Sequence, residues 1–367
     1  MAGRIVVFGA TGYTGKLTAE ALVRRGQRPV LAARNAAKLA ELAGELGGDL
    51  DVKVADVSQP ETVTALVEKG DVMVATVGPF AKWGAPAAEA AIAAGAHYLD
   101  STGEPPFIRR VFEEYGPRAE SAGIGMLTAF GYDWVPGNLA GAIALRAAGG
   151  AATRVDTGYF ITGSSVGGMS GGTKASLAGV INAPSFGWRD GQLRTERGAA
   201  RYRTFRLRDK DRPGVSVGSS EHFTLPRFHP GLREVNAYLG WFGPASRAMQ
   251  ASSLVGSMAF RVPGVESVWG AATDRFVKGS SGGPDAAERA RSGSHIVAEA
   301  YDAGGNRLAE AHLTGVDGYS FTGEILAWGA ERAAAGALKG VGALGPVDAL
   351  GLDELEAGAA QAGIQRI

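Results

Sequence analysis

The sequence predicts an α/β protein. Its amino-terminal part is a doubly wound, Rossmann-type parallel sheet, completed by a carboxyl-terminal helix and interrupted by an inserted α+β substrate or dimerisation domain. Three observations predict this. Val6 to Gly15 reads VVFGATGYTG, a short apolar strand that stops at a glycine-rich turn and enters a helix-shaped segment. Short, near-continuous apolar runs then alternate with helical segments, as in a parallel sheet covered on both faces. Late in the chain, Ile296 to Thr314 alternates as a hairpin around a Gly-Gly turn, and a helical run follows it.

Pro29 to Ala33 reads as the second strand and Ala36 to Leu46 as a helix. Val52 to Ala55 is the third strand, and Pro60 opens a helix over Glu61 to Glu68. Val72 to Val77 is the fourth strand, Ala85 to Ala94 a helix, His97 to Asp100 the fifth strand and Gly125 to Ala129 a sixth. Right-handed crossovers wind such a sheet from its middle outward. Ligands then sit at the carboxyl ends of the strands.

The turn after the first strand carries Gly9, Gly12 and Gly15, spaced G-x-x-G-x-x-G. Glycines allow a backbone to approach a ligand closely and accept positive φ. The helix beyond directs its amino end at the same place, which suits a pyrophosphate. An NAD site normally ends the second strand in an acidic residue that binds the ribose hydroxyls. Here Arg34 and Asn35 stand instead, with Lys38 one turn further on. A guanidinium pairs with a 2′-phosphate that a carboxylate would repel. The expectation is NADP(H).

Asp56 and Val57 end the third strand at the adenine edge, where Asp56 serves equally well as a helix cap. Val77, Gly78, Pro79 and Phe80 end the fourth, with Phe80 as a wall beside the cofactor. Asp100 opens a polar cluster, Asp100-Ser101-Thr102-Gly103-Glu104, in which Ser101 and Thr102 read as caps of the next helix.

Composition narrows the chemistry. Lys plus Arg and Asp plus Glu are 37 each, so no net field draws nucleic acid or an anionic membrane. There is no cysteine, which excludes disulfides, thiolate nucleophiles and Cys-ligated metals. The five His are scattered and no H-E-x-x-H occurs, so no metal site is expected. No stretch of about eighteen apolar residues is present to span a membrane. The opening apolar residues form a strand rather than a leader, and a cytoplasmic protein is expected.

VVFGATGYTG, LAARN, VGPF, HYLDSTGE and FGYDWVPGN together resemble the saccharopine dehydrogenase/reductase-like oxidoreductases, nearest the trans-acting enoyl reductase branch. SGGT at Ser170 to Thr173 and GVDGY at Gly315 to Tyr319 support the likeness, which is strongest over about residues 4–140. The resemblance implies hydride transfer involving a C=C or C=N bond. It implies that Gly9, Thr11, Gly12, Tyr13, Thr14 and Gly15 line the pyrophosphate, that Arg34, Asn35 and Lys38 surround the 2′-phosphate, and that Val77 to Phe80 border the nicotinamide ribose. The domains expected are 1–135 for NADP binding, 136–316 for substrate and dimerisation, and 317–367 for a helical return to the first. The multi-Arg carboxylate site of saccharopine-processing members has no obvious counterpart.

FGYDWVPGN, Phe130 to Asn138, follows the sixth strand and reads either as a polar–aromatic loop beside the nicotinamide or as a domain linker. Tyr132 and Asp133 are the candidate proton donor and carboxylate, with Asp100 behind them. Arg154 to Ile161 begins the second domain. Gly163 to Gly172 is a Gly/Ser loop that leads through Ser170 to Thr173 into a helix ending at Ile181. Trp188 to Arg212 carries Arg189, Arg194, Arg197, Arg201, Arg203, Arg206, Arg208 and Arg212. These read as a solvated hairpin face or as a surface for an acidic carrier protein or CoA phosphate. His295 and His312 flank the late hairpin as structural residues, and edge pairing there offers a homodimer contact. Tyr319 to Leu338 is helical, and the tail beyond reads as weakly packed.

Three functions fit. The first is an NADPH-dependent reductase of an enoyl bond on a lipid or polyketide-type acyl intermediate, free or carrier-bound. The second is a saccharopine-type amino-acid dehydrogenase or imine reductase. The third is a non-catalytic NADP(H)-binding protein.

Overall fold

The structure is a computed structural model that describes residues 3–163, 184–207, 210–259 and 282–367. The chain forms two compact units. The first comprises Met1–Gly103, Phe107–Val135 and Gly318–Gly363; the second comprises Glu104–Pro106, Pro136–Asp317 and Ile364–Ile367.

In the first unit, β1 (Ile5–Phe8), β2 (Val30–Ala33), β3 (Val52–Val54), β4 (Val72–Ala75), β5 (His97–Asp100) and β6 (Gly125–Leu127) form a sheet in the order β6-β5-β4-β1-β2-β3. Every pairing is parallel. β1 and β4 are buried along their whole lengths, because helices cover both faces. The order reverses at β1, so the turn after β1 lies at the crevice where such sheets bind ligands.

Helix α1 (Tyr13–Arg24) follows that turn. The helix Gly318–Ala334 packs along it closely enough that a Cβ on Gly323 would stand 3.0 Å from Leu17. Arg24 pairs with Glu324 and Arg25 with Glu331, both at 2.6 Å, across the two helices. Helix α2 (Ala36–Glu45) follows β2, and α3 (Pro60–Thr64) is a single short turn that ends before the expected Glu68.

The tail departs from its expectation. Gly342–Ala343 adds a seventh parallel strand beside β6, and helices Pro346–Leu350 and Leu352–Gln361 bury Val347, Leu350 and Leu355. The glycines and alanines that suggested loose chain are the small residues this packing needs: a Cβ on Gly358 would meet the Trp328 ring at 2.4 Å.

The second unit is built on a mixed sheet. Its strands are β7 (Arg154–Gly163), β8 (Pro184–Arg189), β9 (Gln192–Arg197), β10 (Tyr202–Leu207), β11 (Lys210–Val217), β12 (Glu234–Leu239), β13 (Ser292–Tyr301) and β14 (Arg307–Val316). The main order is β10-β11-β12-β7-β13-β14, with β8 and β9 as a side hairpin on β12. The last strand, Ile364–Arg366, pairs with β14 over Leu313–Gly315. That stretch of the hairpin edge, expected to meet a second copy, is therefore already covered. Phe160, Phe205, Leu207, Tyr238 and Val297 form a core cluster.

The arginine-rich span is not a solvated face. Arg189 bonds Glu196 at 3.0 Å, and Arg201 bonds the same carboxylate. Arg203 is held by Asp156 and Glu299, and Arg197 donates to Ala199, Gln250 and Ser253. Arg194 and Arg206 are the exposed ones, each with its own Asp. Ser170 to Thr173, the helix expected through Ile181 and Arg208 lie outside the described residues.

Candidate functional site

The candidate site lies along the carboxyl ends of β1, β2, β4, β5 and β6 in the first unit. Gly9 has φ +92°, and a Cβ there would meet Thr76 Oγ1 at 2.6 Å. A Cβ on Gly15 would stand 2.2 Å from the Gly9 carbonyl oxygen, so the turn closes only with glycine at both positions. Gly9 and Ala10 donate to the Ala32 carbonyl at 2.8 and 3.1 Å, and Gly12 donates to the Gly9 carbonyl at 2.8 Å. Gly12 is the N-cap of α1, and no side chain caps the helix. Its amino end is thus left for an outside acceptor, the arrangement that binds phosphate. Thr11, Gly12, Tyr13 and Thr14 are partly exposed around it, and the Tyr13 ring stands edge-on to Tyr319 at 5.1 Å.

Arg34 and Lys38 are exposed beyond β2, and neither makes an ion pair among the described residues. Asn35 is committed locally, accepting from the Lys38 N–H at 3.0 Å as the N-cap of α2. Asp56 is not the N-cap of α3; Gln59 holds that position and makes no side-chain capping bond. Asp56 instead accepts from the Ser58 N–H and Oγ, both at 2.9 Å. The Ser58 N–H bond, aided by the charge of Arg34, holds its carboxyl below the usual range. That places Asp56 beside Arg34, with Val57 partly exposed next to it.

Thr76, which sequence reasoning passed over, ties β4 to β1 by donating to the Phe8 carbonyl at 3.1 Å. Val77, Gly78 and Pro79 are partly exposed, and the Gly78–Pro79 peptide is cis. The expected wall, Phe80, is 6% exposed and stacks on Phe107 at 5.6 Å, so its ring belongs to the core under the turn.

The two candidate carboxylates occupy opposite situations. Asp100 is fully buried and saturated. Its Oδ1 accepts from the N–H groups of Thr102 (2.9 Å) and Ala129 (2.8 Å), and its Oδ2 from Thr128 Oγ1 (2.8 Å). Burial still raises its pKa to about 6. Ala129 has φ +57°, a left-handed geometry costing about 1–2 kcal/mol for a residue with a Cβ. The N–H bond to Asp100 holds it there. Asp100 braces the ends of β5 and β6.

Asp133 has no such bonds. Its Oδ1 is buried and has no hydrogen-bond partner among the described residues, although the residue as a whole keeps some exposure. Burial alone pushes its pKa to about 7. An unpaired buried polar group costs roughly 1–3 kcal/mol. The surrounding loop is firmly placed: Tyr132 N–H donates to Thr322 Oγ1 (3.0 Å), Trp134 N–H to the Ala129 carbonyl (2.8 Å) and Val135 N–H to the Gly131 carbonyl (3.0 Å). The Tyr132 ring is 6% exposed and lies where a Cβ on Gly318 would be 3.0 Å away. Gly318 and Thr322 were missed as parts of this loop's support; the GVDGY segment was their only signal. β4 and β5 stand between β1 and β6, so about 14 Å separates the ends of those two strands.

With this geometry in view, residues 5–127 match the family model described as the saccharopine dehydrogenase NADP binding domain. Over that stretch the chain is similar to the family. A putative trans-acting enoyl reductase of Mycobacterium tuberculosis is 39% identical over 188 residues, 49% of this chain and 45% of the relative. A trans-acting enoyl reductase of Mycobacterium leprae is 39% identical over 140 residues, 37% of this chain and 34% of the relative. The match thus spans less than half the length of these curated relatives.

Beyond the NADP-binding domain, the whole chain shares its fold with an apo saccharopine dehydrogenase (L-Glu forming) from Saccharomyces cerevisiae. The TM-score is 0.61 at 14% identity, and both chains are covered in full. A homospermidine synthase from Legionella pneumophila, solved in complex with NAD, gives 0.63 at 11% identity over all of this chain and 92% of that one. No described helix is long and apolar enough to cross a membrane. Among the described residues, no group of three or more His, Asp or Glu is arranged to hold a metal ion.

Proposed function

We propose that this chain is an NADPH-dependent oxidoreductase that reduces the C=C bond of an enoyl thioester on a lipid or polyketide-type acyl group, free or carrier-bound. The observation that carries the cofactor reading is the uncapped amino end of α1 behind a turn that only glycine closes, with Arg34 and Lys38 exposed one strand away. Gly9 and Thr11 to Gly15 would hold the pyrophosphate, and Arg34 and Lys38 the 2′-phosphate. Val77 to Pro79 would border the nicotinamide ribose. Reduced nicotinamide, when bound, supplies a hydride. The chain's own residues then orient the acyl group, exclude water and handle the proton.

Identity to the mycobacterial enoyl reductases supports the C=C substrate. A saccharopine-type reaction on a C=N bond draws support from the shared fold. The pairing of Arg189, Arg201 and Arg203 with carboxylates of their own unit weighs against it. A substrate bearing several carboxylates needs unengaged guanidiniums.

Fluorescence titration with NADPH and NADH tests the cofactor. A preference of at least about tenfold for NADPH, about 1.4 kcal/mol, is expected, and Arg34→Asp should abolish or invert it. Equal affinities would remove the reading. A panel of enoyl thioesters and cyclic imines, followed at the NADPH absorbance, separates C=C from C=N reduction. Binding of NADPH without turnover of either class would favour a non-catalytic binding protein.

A further inference from the structure

We propose that Asp133 is the acid that delivers the proton in this reduction, and that position 103 is glycine in order to seat its carboxyl. The proposal rests on the hydride-transfer reading above. Two buried Asp side chains stand near the ends of β5 and β6, and the structure assigns them different work. Asp100 spends both oxygens on three donors of the protein itself. Asp133 leaves Oδ1 buried with none. A Cβ on Gly103 would lie 2.9 Å from Asp133 Oδ2, so the turn after β5 makes room for this carboxyl and for nothing larger beside it.

The backbone on either side of Asp133 is pinned by the bonds of Tyr132, Trp134 and Val135. The backbone that carries the carboxyl is therefore fixed in place. An unsatisfied acid on a rigid loop at the strand-end face is what a proton-transfer group looks like before its substrate arrives.

Within the first unit, the titratable groups on β5, on the loop itself and on the helix Gly318–Ala334 are His97, Tyr98, Asp100, Tyr132, Tyr319, Glu324, Glu331 and Arg332. None of them contributes to the shift of Asp133, which burial alone holds near neutrality. The carboxyl is therefore protonated in about half the molecules at pH 7, where a general acid works best.

The chemistry balances. The β-carbon gains a hydride with its electron pair, and the C=C electrons move toward the thioester carbonyl. The α-carbon then forms a bond to the proton as the Asp133 O–H bond breaks, leaving a carboxylate that regains a proton from water. The C=C bond has gained two hydrogens, and the nicotinamide is left oxidised.

The decisive experiment is a carboxyl titration of the full chain labelled with ¹³C-Asp, comparing wild type with Asp133→Asn. A resonance titrating near pH 7 and missing from the variant is expected. An Asp133 resonance that titrates below pH 5 would overturn the proposal without any activity measurement. Single-turnover reduction of crotonyl-CoA supplies the second readout. Asp133→Asn should lose at least about 100-fold in rate and the decline above pH 7, while its NADPH affinity stays within about twofold of wild type. Unchanged rate and pH profile with NADPH still bound would sink this proposal and leave the hydride reading intact. Failure of wild type to bind NADPH would sink both.

Gly103→Ala guards against misfolding of the first variant. Its methyl should displace the carboxyl, move the titration and slow reduction with NADPH affinity preserved. An unmoved titration in that variant would refute the role of position 103.

Discussion

Replacing Asp133 by Asn should make the protein more stable at pH 8 and leave it unchanged at pH 4. In the unfolded chain this carboxyl titrates near 3.8; in the fold it keeps its proton to about 7. Between those values the unfolded state releases a proton that the native state retains. Stability therefore falls as pH rises from about 4 to about 7 and is level above. A raised interval of about three pH units corresponds to up to about 4 kcal/mol. Asp100, raised to about 6, adds up to about 3 kcal/mol of the same sign between pH 4 and 6. Wild type should lose both contributions on going from pH 4 to 8, and Asp133→Asn only that of Asp100. Against a total of about 5–15 kcal/mol for a typical domain, the difference is large. Urea unfolding of both proteins at several pH values between 4 and 8 measures it. Parallel stability profiles would refute the reasoning, since they would mean that the Asp133 carboxyl is hydrated in the native state.

Other outcomes follow from the same geometry. Asp100→Asn leaves part of the three-donor set without an acceptor but also removes the cost that the raised pKa imposes as pH rises from about 4 to about 6, so its net destabilisation should be larger at pH 4 than at pH 7; urea midpoints that fall equally at both values contradict this account. Gly15→Ala places a methyl 2.2 Å from the Gly9 carbonyl and should abolish NADPH binding and lower Tm, as read by titration and calorimetry. Tyr159→Phe removes a 2.6 Å bond to buried Glu221 and the acceptor of the Gly137 N–H (2.8 Å); a loss of roughly 1–3 kcal/mol is expected in urea unfolding.

The sequence by itself determined the sheet of the first unit, its strand-end face and the glycine turn after β1. Those features are local: apolar runs fix the strands, and the glycines at 9 and 15 permit a turn that no residue with a Cβ can close. The cations beyond β2 were equally legible, since their place follows from the strand's end. The packing of the tail was not, because Gly342–Ala343 becomes a strand only where β6 offers an open edge. The arginine-rich span misled for a related reason. Charge along a strand says nothing about which carboxylates the neighbouring strands bring opposite, and Asp156 and Glu299 reach Arg203 from elsewhere in the chain.

Only the tertiary structure showed how differently Asp100 and Asp133 are bonded. Asp100 ends β5 and Asp133 lies in the loop after β6, and the sequence put Asp133 forward with Asp100 behind it. Among the described residues, hydrogen bonding in three dimensions gives the first three donors and the buried Oδ1 of the second none, and on that difference the proposed role of Asp133 as proton donor rests.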